Sequence, residues 1–252
     1  MVYEINFDNR TREIAGILLA VPNEMPKRKW GEIADYPGRD CPKKIANEFL
    51  FCCLIDLQTD SDIAWNKGYK FIHRIIGNPE DIWAVITGFS EETWKSKYKE
   101  FGIHWLRSMH NRLWRIGTEI RKNYDGDANR IWHNQEANEV LCRLLVIRAG
   151  EQISRMIVGA LRDVGQITGT GNVKADTHVC RVLGRSFYGE RIDVDKAVKI
   201  ANQLNPEDPW KVDWPLWFVG KKYCKSIIPR CSECYLETQC TYASVHSSRG
   251  LA

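Results

Sequence analysis

No apolar run in the sequence approaches the roughly 20 residues that a membrane-spanning helix needs. The opening segment Met1-Val2-Tyr3-Glu4-Ile5-Asn6 has an early acid and no apolar stretch, so no secretory leader is expected. Internal repeats and low-complexity tracts are missing, and so are segments of alternating apolar and polar residues. A repeat array and a strand-built fold are therefore excluded. Charge of one sign is scarce as well: 36 Lys and Arg against 32 Asp and Glu leave only +4, mild for a dedicated polyanion binder. What the 252 residues do contain is 44% hydrophobic and 27% charged side chains, a balance that excludes disorder. That is enough apolar material for a buried core in one large domain or two small lobes.

The small positive excess is local. Between Arg143 and Arg191 eight basic residues meet four acids, which accounts for the whole net charge of +4. A local basic field suits a polyphosphate partner; a solvated helix face is the other reading.

Cysteine is plentiful, with nine in the chain. Cys41, Cys52, Cys53, Cys142 and Cys180 are scattered, and Cys52 and Cys53 sit in the apolar run Phe49–Ile55, where a thiol acts as a small hydrophobe. Cys224, Cys231, Cys234 and Cys240 instead form a C-x6-C-x2-C-x5-C pattern within 17 residues. Four thiols so close together read as metal ligands rather than a disulfide knot. Zinc and a [4Fe–4S] cluster are the candidates. One CxxC pair with two flanking ligands in a compact loop favours the cluster, because structural zinc usually takes two pairs far apart in sequence.

The run Gly220-Lys221-Lys222-Tyr223-Cys224, followed by Pro229-Arg230-Cys231-Ser232-Glu233-Cys234 and Cys240, resembles the iron–sulfur loop of the endonuclease III and MutY DNA glycosylases, including its cysteine spacing. The resemblance implies a structural [4Fe–4S] cluster on the four cysteines, in a loop offering Lys221, Lys222, Lys225 and Arg230 to DNA phosphate. It also implies an all-α fold of two helical lobes with a DNA-binding cleft between them. Here a six-helix lobe is expected over 39–165, and a cluster lobe over 1–38 with 166–252.

Helical periodicity runs nearly throughout. It predicts helices over Lys43–Leu57, Asp60–Ile76, Pro79–Ile86, Glu91–Glu100, Ile103–Lys122, Gln135–Ile147 and Gly150–Val164. After the glycine-bearing stretch Gly165–Asn172, helices follow over Asp176–Tyr188, Val194–Leu204 and Trp210–Lys222. Trp210, Trp214 and Trp217 share a helical face and read as core. The first 38 residues, with three prolines and Lys27-Arg28-Lys29, are expected to include a loop over a lobe surface.

Ala175-Asp176-Thr177-His178 resembles the family's Val-Asp-Thr-His segment, which implies that Asp176 is the catalytic aspartate. From the residues alone Asp176 is also a good helix N-cap, and the two roles coexist. His178 is expected either to touch phosphate or to hold the helix start. Upstream, Val146-Ile147-Arg148-Ala149-Gly150 stands where the family has the Leu-Pro-Gly-Val-Gly hairpin whose amides face a phosphate. Only Gly150 matches, and Arg148 is expected to add a side-chain contact. The family's Schiff-base lysine falls two residues on, at Gln152, which cannot attack as an amine. Lys174 is the amine nearest Asp176 in sequence. Leu54-Ile55-Asp56-Leu57-Gln58-Thr59-Asp60 resembles the family turn whose glutamine fills the gap left by an extruded base, the role of Gln58 here. Asp56 is expected either to face the base pocket or to be a surface acid at a helix end. Phe101-Gly102-Ile103-His104-Trp105 resembles the family's wedge loop, with Ile103 as the intercalating residue or else a core residue.

Taken together, the resemblance implies a monomeric base-excision DNA glycosylase, cytoplasmic and nucleoid-associated, acting on double-stranded DNA with a lesion or mismatch, without membrane association. Gln152 implies a monofunctional enzyme. A bifunctional glycosylase/lyase on oxidised pyrimidines and a non-catalytic DNA-binding protein are the alternatives.

Overall fold

The computed structural model describes residues 7–22, 30–56, 61–101 and 109–247. Thirteen α-helices lie among them: α1 (Phe7–Ala20), α2 (Lys43–Ile55), α3 (Ser61–Phe71), α4 (Ile82–Gly88), α5 (Glu91–Phe101), α6 (Met109–Tyr124), α7 (Asn129–Trp132), α8 (Ala137–Val146), α9 (Glu151–Asp163), α10 (Thr177–Tyr188), α11 (Val194–Leu204), α12 (Asp213–Lys222) and α13 (Thr241–Ser247). Among the described residues strand pairing is limited to one isolated bridge, Glu136 with Thr168. The fold is all-α, as expected. None of the described helices is long and apolar enough to cross a membrane.

The chain divides into two compact units, Met1–Met25 with Thr170–Ala252, and Pro26–Gly169. The boundaries expected at 38/39 and 165/166 therefore move outward, for a physical reason. Trp30 is buried and packs edge-on to Trp65 with centroids 5.9 Å apart. Gly38 N–H donates to Gly165 O at 2.7 Å, Gln166 reaches Tyr36 O, and Ala137 N–H donates to Thr168 O at 2.9 Å. These bonds tie 30–38 and 165–168 to the larger unit.

In that unit α2 is the central helix, with ten of its thirteen residues buried. A helix apolar on every side belongs inside a core. Phe51 stacks on Phe71 at 6.0 Å, and Phe71 on Trp94 at 5.2 Å. One polar residue sits at the centre. Asn47, fully buried, accepts from Trp83 Nε1 at 2.8 Å and Ala128 N–H at 2.9 Å, and donates to Gly126 O at 3.0 Å.

The smaller unit is built on α10, whose Val179, Val182, Leu183 and Phe187 pack with Ile14 and Leu18 of α1, Ile200 of α11 and Leu216 of α12. The α1 helix was not expected: Ile14 and Leu18, one turn apart, supply its buried stripe. Of the three tryptophans read as core only Trp210 is buried. Trp214 and Trp217 are half-buried, Trp214 stacking on Phe218 at 5.0 Å.

Candidate functional site

In the larger unit the hairpin between α8 and α9 is present although its sequence departs from Leu-Pro-Gly-Val-Gly. The N–H groups of Arg148 and Ala149 close onto Leu145 O and Leu144 O at 2.9 and 3.0 Å, the wrap-around that ends a helix when one residue turns left-handed. That residue is Arg148, at φ +62°, with an exposed side chain. Gly150 follows at φ +83° as the N-cap of α9, and no side chain caps that helix. The N–H groups of its first turn therefore have no partner within the helix. Gln152, in this first turn, is half-buried, and its Oε1 is enclosed without a hydrogen-bond partner.

Arg112 of α6 lies beneath the hairpin. It donates from Nη1 to Leu54 O at 3.2 Å and from Nη2 to Ala149 O. Sequence reading missed this residue, since nothing local marks one arginine of an amphipathic helix as turned inward. Asp56 differs from expectation: it is neither a surface acid nor open to a pocket. It is buried at 6% exposure, and Ser61 Oγ donates to its carboxylate at 3.1 and 3.2 Å, joining the end of α2 to the start of α3. Gln58 and Ile103 lie outside the described residues.

In the smaller unit Asp176 is the N-cap of α10. Its Oδ1 accepts from His178 N–H at 2.7 Å and Val179 N–H at 3.1 Å. Among the described residues Oδ2 has no partner, and the residue is half-buried. One oxygen is fixed by the helix start and the other is left over. The N–H of Lys174 donates to Asp213 Oδ1 at 2.6 Å, which sets the strand of backbone entering the cap. His178 Nδ1 lies 3.0 Å from Arg181 Nη2. Guanidinium cannot accept, so Nδ1 accepts and the hydrogen of a neutral ring sits on Nε2. The ring meets Trp217 edge-on at 6.3 Å. Arg181 also donates to Gly220 O at 3.0 Å and Cys224 O at 2.6 Å, binding α10 to the end of α12. Lys221 and Lys222 stand in the last turn of α12, their ammoniums over Trp217 at 4.6 Å and Phe218 at 5.2 Å.

The cysteine loop follows α12 directly. Cys224 and Cys234 pack against the core of the unit, and buried Leu236 pins the loop between them and Cys240. Burial pushes the Cys234 thiol up to about 12, and raises Cys231 and Cys240 as well. The thiols also raise one another, which places them as mutual neighbours. Arg185 attends them: Nη1 lies 3.5 Å from Cys224 Sγ, its carbonyl accepts from Cys240 Sγ at 3.6 Å, and it donates to Lys225 O at 2.6 Å. Its guanidinium covers the Tyr242 ring at 4.4 Å. Among the described residues no three His, Cys, Asp or Glu side chains converge to the spacing of a single metal ion. At the tip of the loop Ile227 and Ile228 are 88% and 77% exposed, the most exposed large apolar side chains described.

No protein-family model matches the chain. Endonuclease III of Bacillus subtilis (strain 168) is 24% identical over 222 residues, 86% of this chain and 91% of that protein. A solved non-covalent endonuclease III–DNA complex has the same fold, with a TM-score of 0.59 at 16% identity over 80% of this chain and 86% of that one. A thermostable thymine-DNA glycosylase matches with a TM-score of 0.62 at 15% identity, over 95% of this chain and 100% of that one. The chain is therefore similar in sequence to an endonuclease III along most of its length, and it shares the all-α fold of the endonuclease III and thymine-DNA glycosylase structures.

Proposed function

We propose that this chain is a DNA glycosylase that cleaves the N-glycosidic bond of a base extruded from the duplex, without lyase chemistry. The observation that carries the reading is Asp176: one carboxylate oxygen is held by two backbone N–H groups, and the other has no partner among the described residues. Base extrusion leaves C1′ as the reacting centre, with an oxocarbenium-like transition state. A fixed anion there is worth far more than a mobile one, since no reorganisation accompanies the reaction. Asp176 therefore stabilises the developing cation and orients the attacking water.

Gln152 stands where a Schiff-base amine is required, and a carboxamide supplies none. Water is then the nucleophile, and strand cleavage does not follow excision. The uncapped start of α9 with Gly150 offers backbone N–H groups to one phosphate, and the exposed Arg148 guanidinium offers charge to the next. Lys174, His178, Lys221 and Lys222 supply further positive or donor groups on the smaller unit. Gln58 takes the space of the extruded base and Ile103 wedges the stack. Asp56, bonded to Ser61, joins the end of α2 to the start of α3 rather than reading the base.

Cys224, Cys231, Cys234 and Cys240 would hold the [4Fe–4S] cluster. When bound, such a cluster supplies a rigid crosslink of the loop that carries Lys225 and Arg230.

The test is an excision assay of the full chain on duplexes each carrying one lesion or mismatch, read with and without alkali. Base release is expected with strand cleavage only after alkali. Asp176→Asn should lower excision by roughly 10²-fold or more with DNA affinity within a few-fold. A borohydride-trapped covalent adduct would overturn the monofunctional reading. Duplex binding without excision across the panel would leave a DNA-binding protein that keeps the scaffold.

A further inference from the structure

We propose that Arg112 is the positioning residue of the α8–α9 hairpin: it holds the Ala149 carbonyl inward and thereby turns the Gly150 N–H outward, toward a DNA phosphate. The inference rests on the reading of this chain as a DNA-binding enzyme.

The peptide plane carries the argument. In a planar trans peptide the C=O and N–H point in opposite directions. Ala149 C=O and Gly150 N–H belong to one such plane, and Arg112 Nη2 holds the carbonyl end inside the unit. The N–H end must face the other way. The two preceding amides, of Arg148 and Ala149, are already spent on Leu145 O and Leu144 O. Gly150 N–H is thus the first amide of the turn left for an outside acceptor, next to the uncapped start of α9.

The position of Arg112 is also costly without such a role. Its guanidinium is largely withdrawn from water, and no carboxylate among the described residues pairs with it. Burial lowers its pKa from the ordinary arginine value. The attraction of a helix C-terminus explains the contact with Leu54 O, in the last turn of α2. It does not explain the contact with Ala149, which lies in the turn outside both helices. The guanidinium gives each carbonyl its own nitrogen, Nη1 to Leu54 O and Nη2 to Ala149 O, in a fixed planar fork that an ammonium lacks. It therefore fixes the hairpin to the end of α2, two residues ahead of Asp56.

Arg112→Met and Arg112→Lys in the full chain test this with two readouts. In free protein, ¹⁵N relaxation should show residues 147–151 losing order in Arg112→Met while α9 beyond them stays rigid, with Arg112→Lys intermediate. On DNA, the probe is a short duplex bearing a tetrahydrofuran abasic analogue, with each phosphate replaced in turn by a neutral methylphosphonate. Wild type should lose roughly tenfold in affinity at the one phosphate seated on the hairpin, and Arg112→Met should abolish that penalty. A merely structural role would weaken binding at every phosphate alike. Unchanged order at 147–151, or a methylphosphonate penalty that survives in Arg112→Met, would overturn the inference. If wild type shows no sensitive phosphate, the DNA reading of the hairpin fails, and the relaxation data still decide the role of Arg112. Should Arg112→Met fail to fold, Arg112→Lys is judged by the same two measurements.

Discussion

Gly220 on α12 lies directly against His178 on α10: a methyl group on Gly220 would stand 2.6 Å from His178 Cβ and 3.1 Å from its Cα. The neighbour is backbone and Cβ, not the end of a flexible chain. Gly220→Ala must therefore push α10 and α12 apart, in the unit whose core they share. The expected cost is about 3 kcal/mol, a fall in Tm of roughly 6–12 °C, measured by calorimetry. Because Asp176 caps α10 two residues before this contact, excision should fall with it.

Arg148 carries a predicted trade of stability against binding. At φ +62° it occupies the left-handed region that L-residues enter at a cost of about 1–2 kcal/mol and glycine enters freely. Arg148→Gly should therefore raise stability by about 1 kcal/mol in urea unfolding. The same change removes a cation from the exposed hairpin. Duplex affinity should drop, and the slope of log K against log salt should flatten by about 0.9. Loss of stability on this substitution would contradict the conformational assignment.

How far the sequence exposes this architecture depends on where each signal is stored. Helix α11 was legible to its ends, since Asp193 caps it and its apolar residues recur at helical spacing. Asp176 was legible as the cap of α10 for the same reason: a capping carboxylate and a helical stripe are local features. Helix α1 was hidden because the prolines that follow it suggested a loop, although Ile14 and Leu18 were there to read. The two-unit boundary was misplaced because Trp30 and Gly38 find their partners at Asp163 and Gly165, more than a hundred residues away. Asp56, Arg112 and Gly220 belong to the same class. Burial by distant segments decides each of them, and no short pattern encodes it.

Asn47 shows what such distant burial is worth. Replacing it with Ala strands Trp83 Nε1, Ala128 N–H and Gly126 O inside the core. Each unpaired buried group costs about 1–3 kcal/mol, so Asn47→Ala should destabilise the larger unit by about 4 kcal/mol. Asn47→Asp keeps the two acceptor bonds and loses the donor. It should be no better tolerated, because it buries a charge. Urea unfolding followed by tryptophan fluorescence checks both. A change under 1 kcal/mol for Asn47→Ala would mean that the network closes some other way.

The thiol loop yields the prediction on metal content. Cys231 lies in the short turn that also bears Cys234, and its N-terminal neighbour Arg230 is bonded to Glu233 at 2.6 Å, so its place in the loop is set before any metal binds. A serine there keeps the turn but replaces a soft thiolate with a hard hydroxyl, a poor ligand for iron–sulfur chemistry. Anaerobically purified wild-type protein should be brown, with about four irons per chain and no stoichiometric zinc. Cys231→Ser should lose most of the iron, whereas Cys142→Ser, at an exposed thiol outside the loop, should retain it. Because Cys224 and Cys234 pack against the core built on α10, loss of the cluster should also lower the Tm of the smaller unit. Excision should weaken in parallel with the loss of order in the loop that presents Lys225 and Arg230. Equal iron in the two serine variants, or tight zinc at one ion per chain in the wild type, would remove the cluster from this protein.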